Sequence, residues 1–243
     1  MNGFESWLLH RSNDWVARSP ASFAGALDFT DRGLWLLMAA VLAGLWFVGE
    51  PGIIPTEKGK ITRLDNRQRI LLMLGAMGIS SGLARLLQLT VFHARPLVDV
   101  GLKAPIDPQV WQTVSSRLEP QSGFPSYQMA LILVLVTGMF YHHAGAGGLA
   151  LLAGAYYGLL VVGLGFYWPI DILAGALLGV LITSLLFICQ PCWRRLLRPI
   201  VLQFEYHQIL AHLTGFLFLF DLSQKFATSS SLLRILYGFT LGG

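Results

Sequence analysis

The stretch "YWPIDILAGALLG", Tyr167–Gly179, decides how this chain is read. Pro169 suits the first position of a helix, where a backbone N–H would lack a partner anyway. Asp171, two residues later, complements the positive end of a helix dipole. The residues that follow, up to Cys189, carry no charge. Such a run approaches the roughly 20 residues that a helix needs to cross a bilayer. In hydrocarbon every backbone polar group must be paired internally, which makes a helix the economical conformation.

Working outward, comparable runs lie at about 33–49, 70–92, 127–141, 147–166 and 208–224, with 170–189 as the fifth of six. The chain of 243 residues is 54% hydrophobic and only 12% charged, far below the charge content of a soluble domain. These features predict an all-α integral membrane protein, a six-helix transmembrane bundle over 33–226. An N-terminal interfacial segment, 1–32, precedes it, and a C-terminal tail, 227–243, follows. Phe4, Trp7, Trp15, Phe23 and Phe29 are interrupted by Glu5, Arg11, Asp14 and Arg18, a pattern expected of a helix lying in the interface. The first 30 residues lack the basic start and apolar core of a secretory signal.

The net charge of +4 is a topology signal and gives no reason to invoke nucleic acid. Lys58, Lys60, Arg63, Arg67 and Arg69 lie in one inter-span loop, and Arg194, Arg195 and Arg198 in another. The long loop 93–126 holds only Arg95, Lys103 and Arg117. The positive-inside rule then puts both basic loops in the cytoplasm, with the long loop and both termini outside. Three places should share the outer face: Arg95, Ser126, and the junction from Tyr167 to Asp171.

Those places carry "QLTVFHARP" (88–96), "PSYQ" (125–128) and "LVVGLGFYWPID" (160–171). In order and spacing they resemble the type-2 phosphatidic acid phosphatase superfamily, the lipid phosphate phosphatases, whose pattern is K-x6-R-P, P-S-G-H and S-R-x5-H-x3-D. "SGFPS" before a span and "YWPIDILAGALLG" match the family's flanks, and the resemblance covers about residues 33–225. Arg95, Pro96, Pro125, Ser126 and Asp171 stand as in the family. Gln88 stands for its lysine, Gln128 for the histidine that protonates the leaving oxygen, and Leu160 and Val161 for its serine and arginine. Tyr167 stands for the histidine that attacks phosphorus. In the related vanadium haloperoxidases that histidine holds vanadate; here no cofactor and no metal is implied.

The substituted groups are poor replacements. A phenol ionises near pH 10, and the neighbouring Asp171 carboxylate would disfavour that ionisation. An amide at Gln128 is no usable acid near neutral pH. Gln88 and Val161 remove positive charge, on which phosphoryl transfer chiefly depends. The expectation is a catalytically inactive, phosphatase-like protein that binds a lipid phosphate or a polyprenyl (di)phosphate, or serves as subunit of a membrane complex. Arg95, Ser126, Gln128, Tyr167 and Asp171 are the expected ligand contacts, with Arg85 standing in for the missing lysine one turn deeper. The resemblance implies a bacterial inner membrane, lipid-linked glycan assembly or export, and other membrane proteins as partners. Two alternatives stay open: an active phosphatase rebuilt on Tyr167 or His93 with Arg85 and Arg95, and a purely structural subunit.

Cys189 and Cys192 in "CQPC" lack a second ligand pair and read as small residues at a helix end. His142 and His143 read as interface residues. Asp171 and Ser126 have the plainer role of starting helices. The small residues of "GAGGLALLAGAYYG" (145–158) predict close helix packing.

Overall fold

The computed structural model describes residues 3–48, 63–99 and 101–223. Along these residues run α1 (Gly3–Val16), α2 (Pro20–Asp28), a π-helical turn (Phe29–Gly33), α3 (Leu34–Trp46), α4 (Arg63–Thr90), α5 (Pro96–Asp99) and α6 (Pro108–Leu118). Then come α7 (Tyr127–His142), α8 (Ala144–Gly163), α9 (Pro169–Ile188), α10 (Gln190–Tyr206) and α11 (Gln208–Ser223). Lys58, Lys60 and the 227–243 tail lie outside the described residues.

Among the described residues four helical runs are long and apolar enough to cross a membrane: Pro20–Trp46, Leu64–Thr90, Ala144–Gly163 and Pro169–Ile188. The chain is therefore an all-helical integral membrane protein. α7 is apolar but shorter. Two boundaries differ from the sequence reading. The first run begins at Pro20, not near 33, because the helix continues through Asp28, Asp31 and Arg32 without a break. The second begins at the start of α4, several residues before 70.

The chain packs as two units. The first comprises Met1–Thr30 and Leu71–Gln190. Its axis is α7, in which Met129 to Val136 are all buried, as expected of a helix apolar on every side. α9 approaches it through Gly175 and Gly179. A Cβ on these residues would lie 2.2 Å from the Ser126 carbonyl oxygen and 2.3 Å from that of Ala130. Two small residues four apart thus let the backbones touch. The opposite face of α9 carries Ile170, Leu173, Leu177, Leu181, Leu185 and Ile188, all exposed, a ridge suited to lipid tails. α8 also packs on α7, where Gly154 admits Ile132, and Gly158 lies beside Ile172 of α9.

α1 does more than lie in an interface. It packs along α8 with Leu9, Ser12, Asn13 and Val16 buried. The Asn13 amide donates to the carbonyls of Gly163 (2.9 Å) and Lys103 (3.1 Å), and its Oδ1 accepts the Lys103 N–H (3.1 Å). Lys103 also pairs with Asp14 at 2.7 Å and holds that carboxyl below its usual range. Trp111 of α6 meets Phe23 of α2 edge-on at 5.5 Å, beside Val16, Leu160 and Leu164. The long loop is thereby fastened to the end of the unit where α8 finishes.

The second unit comprises Asp31–Ile70 and Pro191–Gly243. α3 packs with α11, and Trp46 contacts Phe204. The buried Arg67 pairs with Glu205 while its guanidinium lies 4.8 Å from the Trp46 ring. Arg194 pairs with Asp65 at 2.9 Å.

Candidate functional site

The site begins where α4 stops. The helix ends at Thr90, ahead of Arg95, whose conformation Pro96 restricts. Arg85, Gln88, Phe92 and Arg95 stand at steps of three and four in sequence, a spacing that would align them on one helix face, but Phe92 and Arg95 lie in irregular chain. The first pair holds: Arg85 donates to Gln88 Oε1 at 3.1 Å and stacks 4.0 Å from the Tyr127 ring.

The irregular segment joins the end of the long loop. The His93 N–H donates to Ser122 Oγ (3.1 Å), Ser122 Oγ donates to the Val91 carbonyl (2.8 Å), and the Gly123 N–H donates to the His93 carbonyl (2.8 Å). Gln88 Nε2 donates to the Pro125 carbonyl at 2.8 Å. Ser126 caps α7, its Oγ accepting the Met129 N–H at 3.3 Å, and its own N–H donates to the Asp171 carbonyl at 3.0 Å. The segments 88–96, 125–128 and 160–171 meet here.

At the junction lies a pair that the sequence reading did not form. Asp171 is fully buried. One of its oxygens, Oδ2, accepts the Trp168 N–H at 3.0 Å and so caps α9, as expected of an acid at that position. The other, Oδ1, lies 2.9 Å from His93 Nδ1. A carboxylate can only accept, so Nδ1 carries the proton. The His93 side chain is 41% exposed, and its second nitrogen, Nε2, is left for a ligand. The Trp168 indole donates to the Ala94 carbonyl at 2.9 Å and fixes the adjoining chain. Gly123 packs closely here: a Cβ would lie 2.9 Å from Asp171 Oδ2.

The other expected contacts fare differently. Arg95 is 3% exposed and donates to the carbonyls of Phe166 (2.9 Å), Gln121 (3.2 Å) and Ser122 (3.4 Å). Tyr167, equally buried, lies beneath its guanidinium at 4.6 Å. Val161 and Leu160 are core residues. Gln128 is half-buried in the first turn of α7. Arg95 thus fastens the loop ends. Arg95→Lys should lose about 2–3 kcal/mol of stability, since one ammonium cannot span three carbonyls. Thermal unfolding in detergent checks this. Unchanged stability with weaker lipid binding would instead assign Arg95 to the ligand.

His93 was legible only as a histidine near Arg95. Compared with known proteins, the chain matches no family model, no curated protein and no solved structure.

Proposed function

We propose that this chain is a phosphatase-like, six-span membrane protein that binds a phosphate-bearing lipid headgroup, a polyprenyl (di)phosphate or a phospholipid, at its outer face. The setting we infer is a bacterial inner membrane, with the site on the periplasmic side. The observation that carries the reading is the half-exposed His93 imidazole held by the buried Asp171 at the meeting point of the three motif segments. Protonated, the ring offers Nε2–H to a phosphate oxygen while Asp171 balances its charge. Gln128, half-buried in the first turn of α7, can add a neutral hydrogen bond. Neither Tyr167 nor Gln128 contributes chemistry in this reading.

The same pair favours a second reading, an active enzyme rebuilt on His93. Neutral, with its proton on Nδ1, the ring presents a lone pair at Nε2. No acid stands at position 128, so a leaving group would have to depart unprotonated. A lipid diphosphate, which releases a phosphate, meets that requirement; a phosphate monoester, which releases an alkoxide, does not.

The test is the purified chain in nanodiscs with undecaprenyl diphosphate or phosphatidic acid, beside His93→Ala. Binding that weakens about tenfold or more in the variant, with no phosphate released, is the expected result. Release from the diphosphate alone, lost in the variant, would establish the second reading. Equal binding by both proteins would sink the first.

A further inference from the structure

Among the described helices, α10 is the most strongly two-sided. Its residues Arg194, Arg195 and Arg198 were read from sequence as part of a basic loop between two spans. The structure places them in one helix with Pro199 inside it. Leu197, Val201 and Phe204 face inward: Val201 is fully buried, and Phe204 packs against Trp46. Beside that stripe, at steps of three and four, lie Trp193, Leu196 and Ile200, exposed by 38%, 60% and 42%. The polar side carries Arg194, Arg195 and Arg198, all exposed.

Pro199 says where such a helix belongs. Having no N–H, it leaves the carbonyl of Arg195 without its helical partner. In hydrocarbon that loss is severe. On the exposed basic side, water and headgroups can satisfy the carbonyl. α10 starts two residues after α9, a membrane-crossing helix, ends, so its first turn begins at a membrane surface.

We propose that α10 is an interfacial helix that seats on anionic phospholipid. Trp193, Leu196 and Ile200 enter the boundary of the acyl chains. Arg195 and Arg198 hold lipid phosphates, while Arg194 is already engaged by Asp65. An aromatic and aliphatic stripe beside arginines is the pattern that binds such surfaces, and each basic residue adds about 1 kcal/mol of attraction. This binding is independent of the His93 site.

The test uses the full chain with Cys189→Ser and Cys192→Ser, in nanodiscs of phosphatidylcholine alone or mixed equally with phosphatidylglycerol. A nitroxide is placed at Leu196→Cys. The expected result is collision with oxygen exceeding collision with a water-soluble nickel complex. Phosphatidylglycerol should also be retained preferentially through purification, with the preference falling about fivefold for each of Arg195→Gln and Arg198→Gln. These arginines are exposed, so the variants should fold, and unchanged thermal unfolding verifies that. A label open to nickel, a label shielded from both reagents, or retention indifferent to the two substitutions would each overturn the proposal.

Discussion

Gly175→Ala should cost about 3 kcal/mol or more of stability, near the upper end for overpacking a core. The added methyl would lie 2.2 Å from the Ser126 carbonyl oxygen, where ordinary contact begins at 3.4 Å. A carbonyl at a helix start cannot rotate away as a flexible side chain can. The helices must therefore separate, and Gly179, 2.3 Å from the Ala130 carbonyl by the same measure, would be levered open with them. Separation also strains the Ser126 N–H bond to the Asp171 carbonyl, so the damage reaches the site. Gly148→Ala on α8 is the control, since a Cβ there meets nothing within 4 Å; alanine in that helix should be neutral or mildly stabilising. Thermal unfolding of the three proteins in the same detergent measures the difference. Equal midpoints for Gly175→Ala and Gly148→Ala would show that the helices are not in backbone contact.

The membrane character and most of the helices were legible because hydrocarbon imposes a simple rule on long apolar runs. The start of α9 was legible because Pro169 and Asp171 act locally, and the start of α7 because Ser126 does. The meeting of the three segments was expected from reading all three as helix ends on one membrane face. What escaped depends on partners distant in sequence. The glycines at 175 and 179 are visible four apart, yet nothing in the sequence says that Ser126 and Ala130 face them. At Arg95, helical periodicity misled, because α4 ends at Thr90 and Arg95 lies in irregular chain. α10 was missed because Arg194, Arg195 and Arg198 were counted as an inter-span loop; Pro191 falls in a first turn, where no N–H is needed, and Pro199 falls where its missing bond is exposed. His93 escaped because its partner lies 78 residues away on another helix, and single-residue reasoning favours a solvated histidine.

Asp171→Asn and Asp171→Ala should separate the two functions of that carboxylate. Asparagine keeps an oxygen for the Trp168 N–H, so the cap on α9 survives and stability should change by less than about 1 kcal/mol. Alanine removes the cap and should cost about 2 kcal/mol. At the other oxygen the asparagine presents an NH2, which can only donate. His93 Nδ1 must then accept, and the ring proton moves to Nε2. The ring can still donate one neutral hydrogen bond to phosphate, but gaining a second proton would break its bond to residue 171. Binding of a lipid phosphate should therefore weaken by about tenfold, the loss of one charge-assisted bond. Any turnover should vanish altogether, because Nε2 no longer has a lone pair. A double-mutant cycle with His93→Gln should return a coupling of about 1 kcal/mol or more in binding free energy. Independent effects would mean that the pair is merely structural, and that the ligand, if bound, is held elsewhere on the face that α7 and α9 share.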